Sequence, residues 1–135
     1  MYLVDTNVIS EARRGTPQVM AWLRSVKSDS IYLSTLTLGE IMRGVVMKRR
    51  SNPHGVARLE EWLRRLRSDY ADRILPVTDA VALEWGRIAA SRSRGEIDGL
   101  IAATAVVHDL IVVTRNVADF DDAGVRVINP WNAVT

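Results

Sequence analysis

Hydrophobic and polar positions alternate between two grammars along this chain. Short apolar runs rich in β-branched residues stand at Tyr2-Leu3-Val4, Ile31-Tyr32-Leu33, Ile74-Leu75-Pro76-Val77, Ile111-Val112-Val113 and Val125-Arg126-Val127-Ile128. Each reads as a brief buried strand, the third cut short by its proline. Between them lie stretches with helical spacing. Val8 and Ile9 begin a short helix that Gly15 ends, and Thr16-Pro17 opens a second through Val19, Met20, Trp22, Leu23 and Val26. A long helix is expected from about Thr35 to Arg50, broken by Ser51-Asn52-Pro53, and a fourth from near Gly55 to Tyr70. Thr78 caps a fifth through Val81, Leu83, Trp85 and Ile88. The sixth, Ile97 to Leu110, has little polar surface and is expected to be buried on most sides.

Strands alternating with helices predict an α/β fold, a central parallel sheet covered on both faces, with right-handed crossovers. The 135 residues suit one domain spanning 1–135, with no repeat, linker or low-complexity tract.

Such a sheet gathers its ligands at the carboxyl edge of the strands. Asp5 leaves the first strand there. Glu40 lies early in the helix after the second strand and leans back toward that edge, because helical side chains tilt toward the helix amino terminus. Asp98 begins the helix feeding the fourth strand; at about 1.5 Å per residue that helix spans about 20 Å, which returns Asp98 to the same rim. Asn116 and Asp119 follow the fourth strand. Each acid has a plain structural reading alone: Asp5 and Asp98 as helix caps, Glu40 as the partner of Thr37 in a capping box, Asp119 as a turn residue. Their convergence is not explained that way. Two carboxylates about 5 Å apart repel by about 3 kcal/mol at an effective dielectric near 20, so four together call for shared protons or a cation.

Composition narrows the cation. No cysteine and only two histidines, His54 and His108, leave an oxygen site suited to magnesium or manganese. His54 is expected to be exposed and His108 structural. The net charge of +2 hides basic clusters at Arg13-Arg14, Lys48-Arg49-Arg50, Arg64-Arg65 and Arg92 with Arg94, read as solvated helix faces or as a phosphate-binding surface. The four tryptophans fit core or interface positions. No apolar run approaches the length that spans a bilayer, and the first residues form a strand rather than a leader, so the expectation is a cytoplasmic protein without membrane contact. Asn7 stands where an aspartyl-nucleophile phosphatase would need a second Asp. No glycine-rich turn follows the first strand, as a dinucleotide site would require.

Taken in order, Leu3-Val4-Asp5-Thr6-Asn7-Val8-Ile9, Thr37-Leu38-Gly39-Glu40-Ile41, Ile97-Asp98-Gly99-Leu100-Ile101-Ala102-Ala103-Thr104-Ala105 and Thr114-Arg115-Asn116-Val117-Ala118-Asp119-Phe120 closely resemble the PIN-domain family. The closing Val127-Ile128-Asn129-Pro130-Trp131 resembles its VapC/FitB branch. The resemblance implies a three-layer α/β/α domain and a Mg²⁺- or Mn²⁺-dependent ribonuclease, the toxin of a toxin–antitoxin pair. It implies Asp5, Glu40, Asp98 and Asp119 as catalytic acids, Asp5 and Asp98 as metal ligands, and Thr6, Asn7, Thr114 and Asn116 as supporting hydrogen-bonding groups. Asn116 is neutral where some relatives carry the fourth acid, which moves that role to Asp119. Implied partners are an RNA substrate, with Arg13 and Arg14 near its backbone, a cognate antitoxin, operator DNA through that antitoxin, and a second copy in a homodimer. The alternative is a non-catalytic regulatory subunit of a DNA-binding toxin–antitoxin complex.

Overall fold

The computed structural model describes residues 1–132; the domain expected over 1–135 therefore has its last three positions outside the described residues. Five strands form one parallel sheet in the order β3-β2-β1-β4-β5: β1 (Tyr2–Val4), β2 (Ile31–Ser34), β3 (Ile74–Leu75), β4 (Ile111–Val113) and β5 (Val127–Ile128). Six helices surround it: α1 (Thr6–Arg14), α2 (Pro17–Ser25), α3 (Thr35–Ser51), α4 (Val56–Asp69), α5 (Asp79–Ser91) and α6 (Glu96–His108).

Alternation along the strands divides the core into two layers. Val4, Ile31, Leu33 and Val113 face one way, against Val8, Ile9, Val19, Trp22, Ile41, Val45, Leu63 and Leu66 of α1 to α4. Leu3 and Val112 face the other way, against Val81, Ile88, Ile101, Ala102 and Ala105 of α5 and α6. The expected three layers are therefore present, and α6 is buried over much of its length, with Gly99 and Ile101 to Ala105 enclosed. Gly99 is required by a close approach: an added Cβ would lie 3.0 Å from Cδ1 of Trp85 on α5.

Local chemistry sets the element ends. Gly15 takes a left-handed conformation, φ 77°, and its N–H closes α1 on Ala12 O. Thr78 accepts from Val81 N and starts α5. Thr16 precedes Pro17 as expected, but its hydroxyl donates to Glu11 Oε2 instead of capping α2. Pro53–Gly55 forms a separate 3-10 turn, so α4 begins at Val56. His54 and His108 are both exposed, His108 in the last turn of α6. Among the described residues no helix is long and apolar enough to cross a membrane.

The strand order matters for function. From β1 the chain proceeds to β2 on one side, whereas β5 follows β4 on the other, so the crevice between the carboxyl ends of β1 and β4 is the topological switch point of the sheet. Val4 pairs with Val113, which puts the next residues, Asp5 and Thr114, side by side at its mouth.

Candidate active site

Asp5 is the centre of a buried polar network at that crevice and is only 5% exposed. Its Oδ1 accepts the backbone N–H of Thr6 at 2.8 Å, which caps α1. Its Oδ2 accepts the Thr114 hydroxyl at 2.8 Å and the Asn7 amide at 3.3 Å. The structural reading of Asp5 as a cap and its place among the acids are thus both true. An ionised carboxylate offers about four lone-pair positions, and three are occupied here. One position is left, on Oδ1. Burial is the main reason the Asp5 carboxyl is held above its ordinary range; the Thr114 and Thr6 bonds pull it down, and Glu40 and Asp119 push it up.

Thr114, fully buried, ties the two strand ends together. Besides Asp5 it accepts from Asn7 Nδ2 at 3.2 Å and from the Asn116 backbone N–H at 3.1 Å. Asn7 in turn accepts the Arg115 backbone N–H at Oδ1. Asn116 takes part through that backbone group and gives no side-chain cap to the 3-10 turn that follows, Val117–Phe120.

Glu40 reaches the site through a side chain rather than through the sheet. The Thr6 hydroxyl donates to Glu40 Oε1 at 2.6 Å and lies 3.1 Å from Oγ1 of buried Thr37. The capping-box expectation for Thr37 and Glu40 is corrected here: Ser34 is the cap, accepting from Leu36 N, and the helix already runs from Thr35. Thr37 therefore sits inside α3, its hydroxyl turned to Thr6. The contact of Thr37 with Thr6 and the cap at Ser34 were not legible in the sequence, since both depend on where α3 starts.

Asp98 stands in the first turn of α6, whose cap position is Gly95, so Asp98 is not the cap. Its carboxyl is pushed up to about 6, first by burial, then by Asp5, Asp119 and Glu40, with Arg94 opposing. Asp98 therefore lies within electrostatic reach of the other three acids. Asp119 lies half-buried in the Val117–Phe120 turn, which buried Phe120 anchors to the α5/α6 layer.

The four acids border a shared space without closing a cage. Among the described residues no three acidic or histidine side chains stand ready to enclose an ion. The donor set nevertheless suits one: every group is a hard oxygen, Asp5 keeps a free direction, and the repulsion raising Asp98 is what a divalent cation relieves. Mg²⁺ typically takes one or two carboxylates and keeps its waters, so a complete protein cage is not required.

Beside Glu40 opens a groove lined by Thr6, Arg13, Arg14, Lys48, Leu59 and Trp62 among others. Arg13 lies over the Trp62 ring, 5.6 Å from its centroid, and Arg14 pairs with Glu11. Trp22 is core, edge-on to Tyr2, and Trp131 stacks under the guanidinium of Arg115.

Comparison with known proteins agrees with this geometry. Residues 2–125 match the PIN domain family. Toxin FitB of Neisseria gonorrhoeae is 40% identical over 98% of this chain and 99% of that one. VapC ribonuclease Y4jK of Sinorhizobium fredii is 35% identical over 97% and 98%. Among solved structures, FitAB bound to an IR36 DNA fragment superposes with a TM-score of 0.89 at 36% identity, covering 100% of this chain and 99% of that chain. DNA-bound VapBC of Salmonella typhimurium, at 21% identity over 96% and 97%, shares the fold with a TM-score of 0.79. With that match over nearly the whole sequence and with its acids at the switch point of a parallel sheet, the chain belongs to the PIN-domain family.

Proposed function

We propose that this protein is a divalent-metal-dependent endoribonuclease and the toxin of a toxin–antitoxin pair. The observation that carries the reading is the shared electrostatic space of Asp5, Glu40, Asp98 and Asp119, four acids from four segments of the chain. The relatives named a toxin and a VapC ribonuclease support it from a different direction.

Asp5 and Asp98 would hold Mg²⁺ or Mn²⁺, with Glu40 and Asp119 beside them. Such a cation, when bound, lowers the pKa of water and neutralises charge on a transferring phosphate. The chain's own residues supply the rest. Asp5 is aimed by Thr114, Asn7 and the Thr6 N–H. Thr6 fixes one oxygen of Glu40, leaving the other to accept a proton from an attacking water or to orient it. Arg13, Arg14 and Lys48, in the groove that begins at Glu40, attract the RNA backbone. Cleavage is then attack of water on phosphorus as one P–O bond to ribose breaks: the water's proton passes to the Glu40 carboxylate, and the ribose oxygen leaves as a hydroxyl with a proton from solvent.

The pairing with an antitoxin, and contact with operator DNA through it, are supported by the relative named Toxin FitB and by the structure of FitAB bound to an IR36 DNA fragment. A purely regulatory subunit would have no use for four mutually repelling carboxylates kept in one place, which favours the enzyme.

The test is cleavage of total cellular RNA by purified protein with Mg²⁺, Mn²⁺ or EDTA, beside Asp5→Asn, which preserves the cap. Metal-dependent cutting absent from the variant is the expected result. Equal inactivity of two folded proteins with metal present would favour the regulatory reading.

A further inference from the structure

The loop joining α5 to α6 carries two arginines that do not behave as solvated charges. Arg92 donates from Nη2 to Ala118 O at 2.8 Å and from Nη1 to Asp121 O at 3.3 Å. Arg94 donates from Nη2 to the same Asp121 carbonyl at 3.1 Å. These two carbonyls bracket Asp119 in sequence, one on either side of it in the Val117–Phe120 turn and its exit. In the other direction the loop runs straight into α6, where Asp98 is the third residue.

Arg94 is placed at some expense. Its Nε and Nη1 are buried with no hydrogen-bond partner among the described residues. Buried donors are normally satisfied, so an exception asks for a reason. The stem of Arg94 lies along Gly99, its Cδ 3.8 Å from where a Cβ would stand, in the same gap that admits Trp85. The stem thus crosses the first turn of α6 at Gly99, the residue after Asp98.

We propose that Arg92 and Arg94 are positioning residues for the acidic site, clamping the Asp119 turn to the amino end of α6 so that Asp98 and Asp119 keep a fixed separation. The proposal rests on the reading of that site as a cation site. The planar fork of arginine suits the task because two separate nitrogens, held in one plane, reach two carbonyls, as Arg92 does, whereas a lysine gathers its donors on one rotatable nitrogen. At its entry the turn is tied to Thr114 through the Asn116 backbone N–H, but among the described residues Asn116 gives it no side-chain cap. Phe120 anchors its base in the core, and the arginines fix the rim above. Neither residue touches the reacting groups; both act through the acids they hold apart.

The experiment is calorimetric titration of Mn²⁺ into the full chain at pH 7.5. It compares wild type, Arg92→Ala/Arg94→Ala, the single changes Arg92→Lys and Arg94→Lys, and Ser93→Ala as a control in the same loop. The double variant should bind Mn²⁺ about tenfold more weakly, the scale of effect for groups that orient metal ligands. Its cleavage rate should recover toward wild type at saturating Mn²⁺, a change in the metal requirement more than in the maximal rate. Arg92→Lys, which keeps the charge but not the fork, should fall between, and Ser93→Ala should match wild type. Unchanged Mn²⁺ affinity in a folded double variant overturns the clamp, as does an equal loss in Ser93→Ala. If the double variant does not fold, wild-type affinity in both lysine variants overturns it instead. A wild type that binds no Mn²⁺ would sink the cation-site reading itself, an outcome distinct from variants that bind as well as wild type does.

Discussion

The two aspartates assigned to the metal are built in opposite ways. Asp5 is buried, takes three hydrogen bonds, and stands at the end of a central strand whose neighbour supplies Thr114. Asp98 is half-exposed on the first turn of a helix, and what surrounds its carboxylate is other carboxylates and one arginine. One acid is held by satisfied geometry, the other by balanced charge. In the proposed cation site, one ligand would then be preset and the second would respond to the arriving cation. The fold explains the division: the β1/β4 crevice is defined by backbone pairing, whereas α6 and the Asp119 turn approach it from separate segments joined by loops.

That comparison can be broken from either side. The largest effect is expected from removing charge without changing shape. Asp5→Asn and Asp98→Asn should each lower RNA cleavage by about 10²- to 10³-fold, measured as single-turnover rates with Mn²⁺. Near-wild-type cleavage by either variant would remove that residue from the site.

Next, Thr114→Val keeps volume but strips the donor from Asp5 Oδ2 and the acceptor from Asn7 and Asn116. It should destabilise the protein by about 1–3 kcal/mol in urea unfolding. A loss near zero would mean that the Asp5 side is not held by its hydrogen bonds.

A third effect is smaller and comes chiefly from Asp98, with the raised Asp5 carboxyl acting in the same direction. The Asp98 carboxyl pKa is raised from 3.8 to about 6, so folding favours the protonated form. The associated stability is fully present below about pH 4 and is lost as pH rises through 6. Discounted for solvent screening at a partly exposed group, the loss is on the order of 1 kcal/mol. Unfolding of the metal-free protein between pH 4 and 7.5 should show that slope, and Asp98→Asn should flatten it and be the more stable protein at pH 7.5. The same titration predicts that Mn²⁺ binds more tightly as pH rises from 5 to 7, because a ligand must lose its proton.

The smallest effect is expected at Gly99. A Cβ there meets the Trp85 ring at 3.0 and 3.1 Å, so Gly99→Ala must shift that side chain. It should cost about 1 kcal/mol of stability by thermal melting, with a weaker effect on cleavage than any change above.

What was legible in the sequence was what depends on order and period. Strand ends, helix faces and the edge to which each acid returns follow from alternation and helix length, so Asp5, Glu40, Asp98 and Asp119 were placed at one rim without coordinates. What escaped depends on a helix start or on a distant contact. Moving the α3 cap from Thr37 to Ser34 turns Thr37 from a cap into an interior hydroxyl facing Thr6. The Thr6–Glu40 bond spans 34 positions of sequence and the Arg92 contacts span 26 and 29, beyond any local pattern. Basic residues read only as surface charge divided by context: Arg13 lies over Trp62, Arg14 pairs with Glu11, and Arg92 and Arg94 grip a turn.

The measurement that tests the central claim most directly is Mn²⁺ binding to wild type and Asp98→Asn at pH 7.5, followed by calorimetry with circular dichroism on both. The account predicts saturable binding to wild type and its loss, or a weakening of at least tenfold, in a folded Asp98→Asn. Equal binding by the two proteins would contradict it, because the cation would then sit somewhere other than among these four acids.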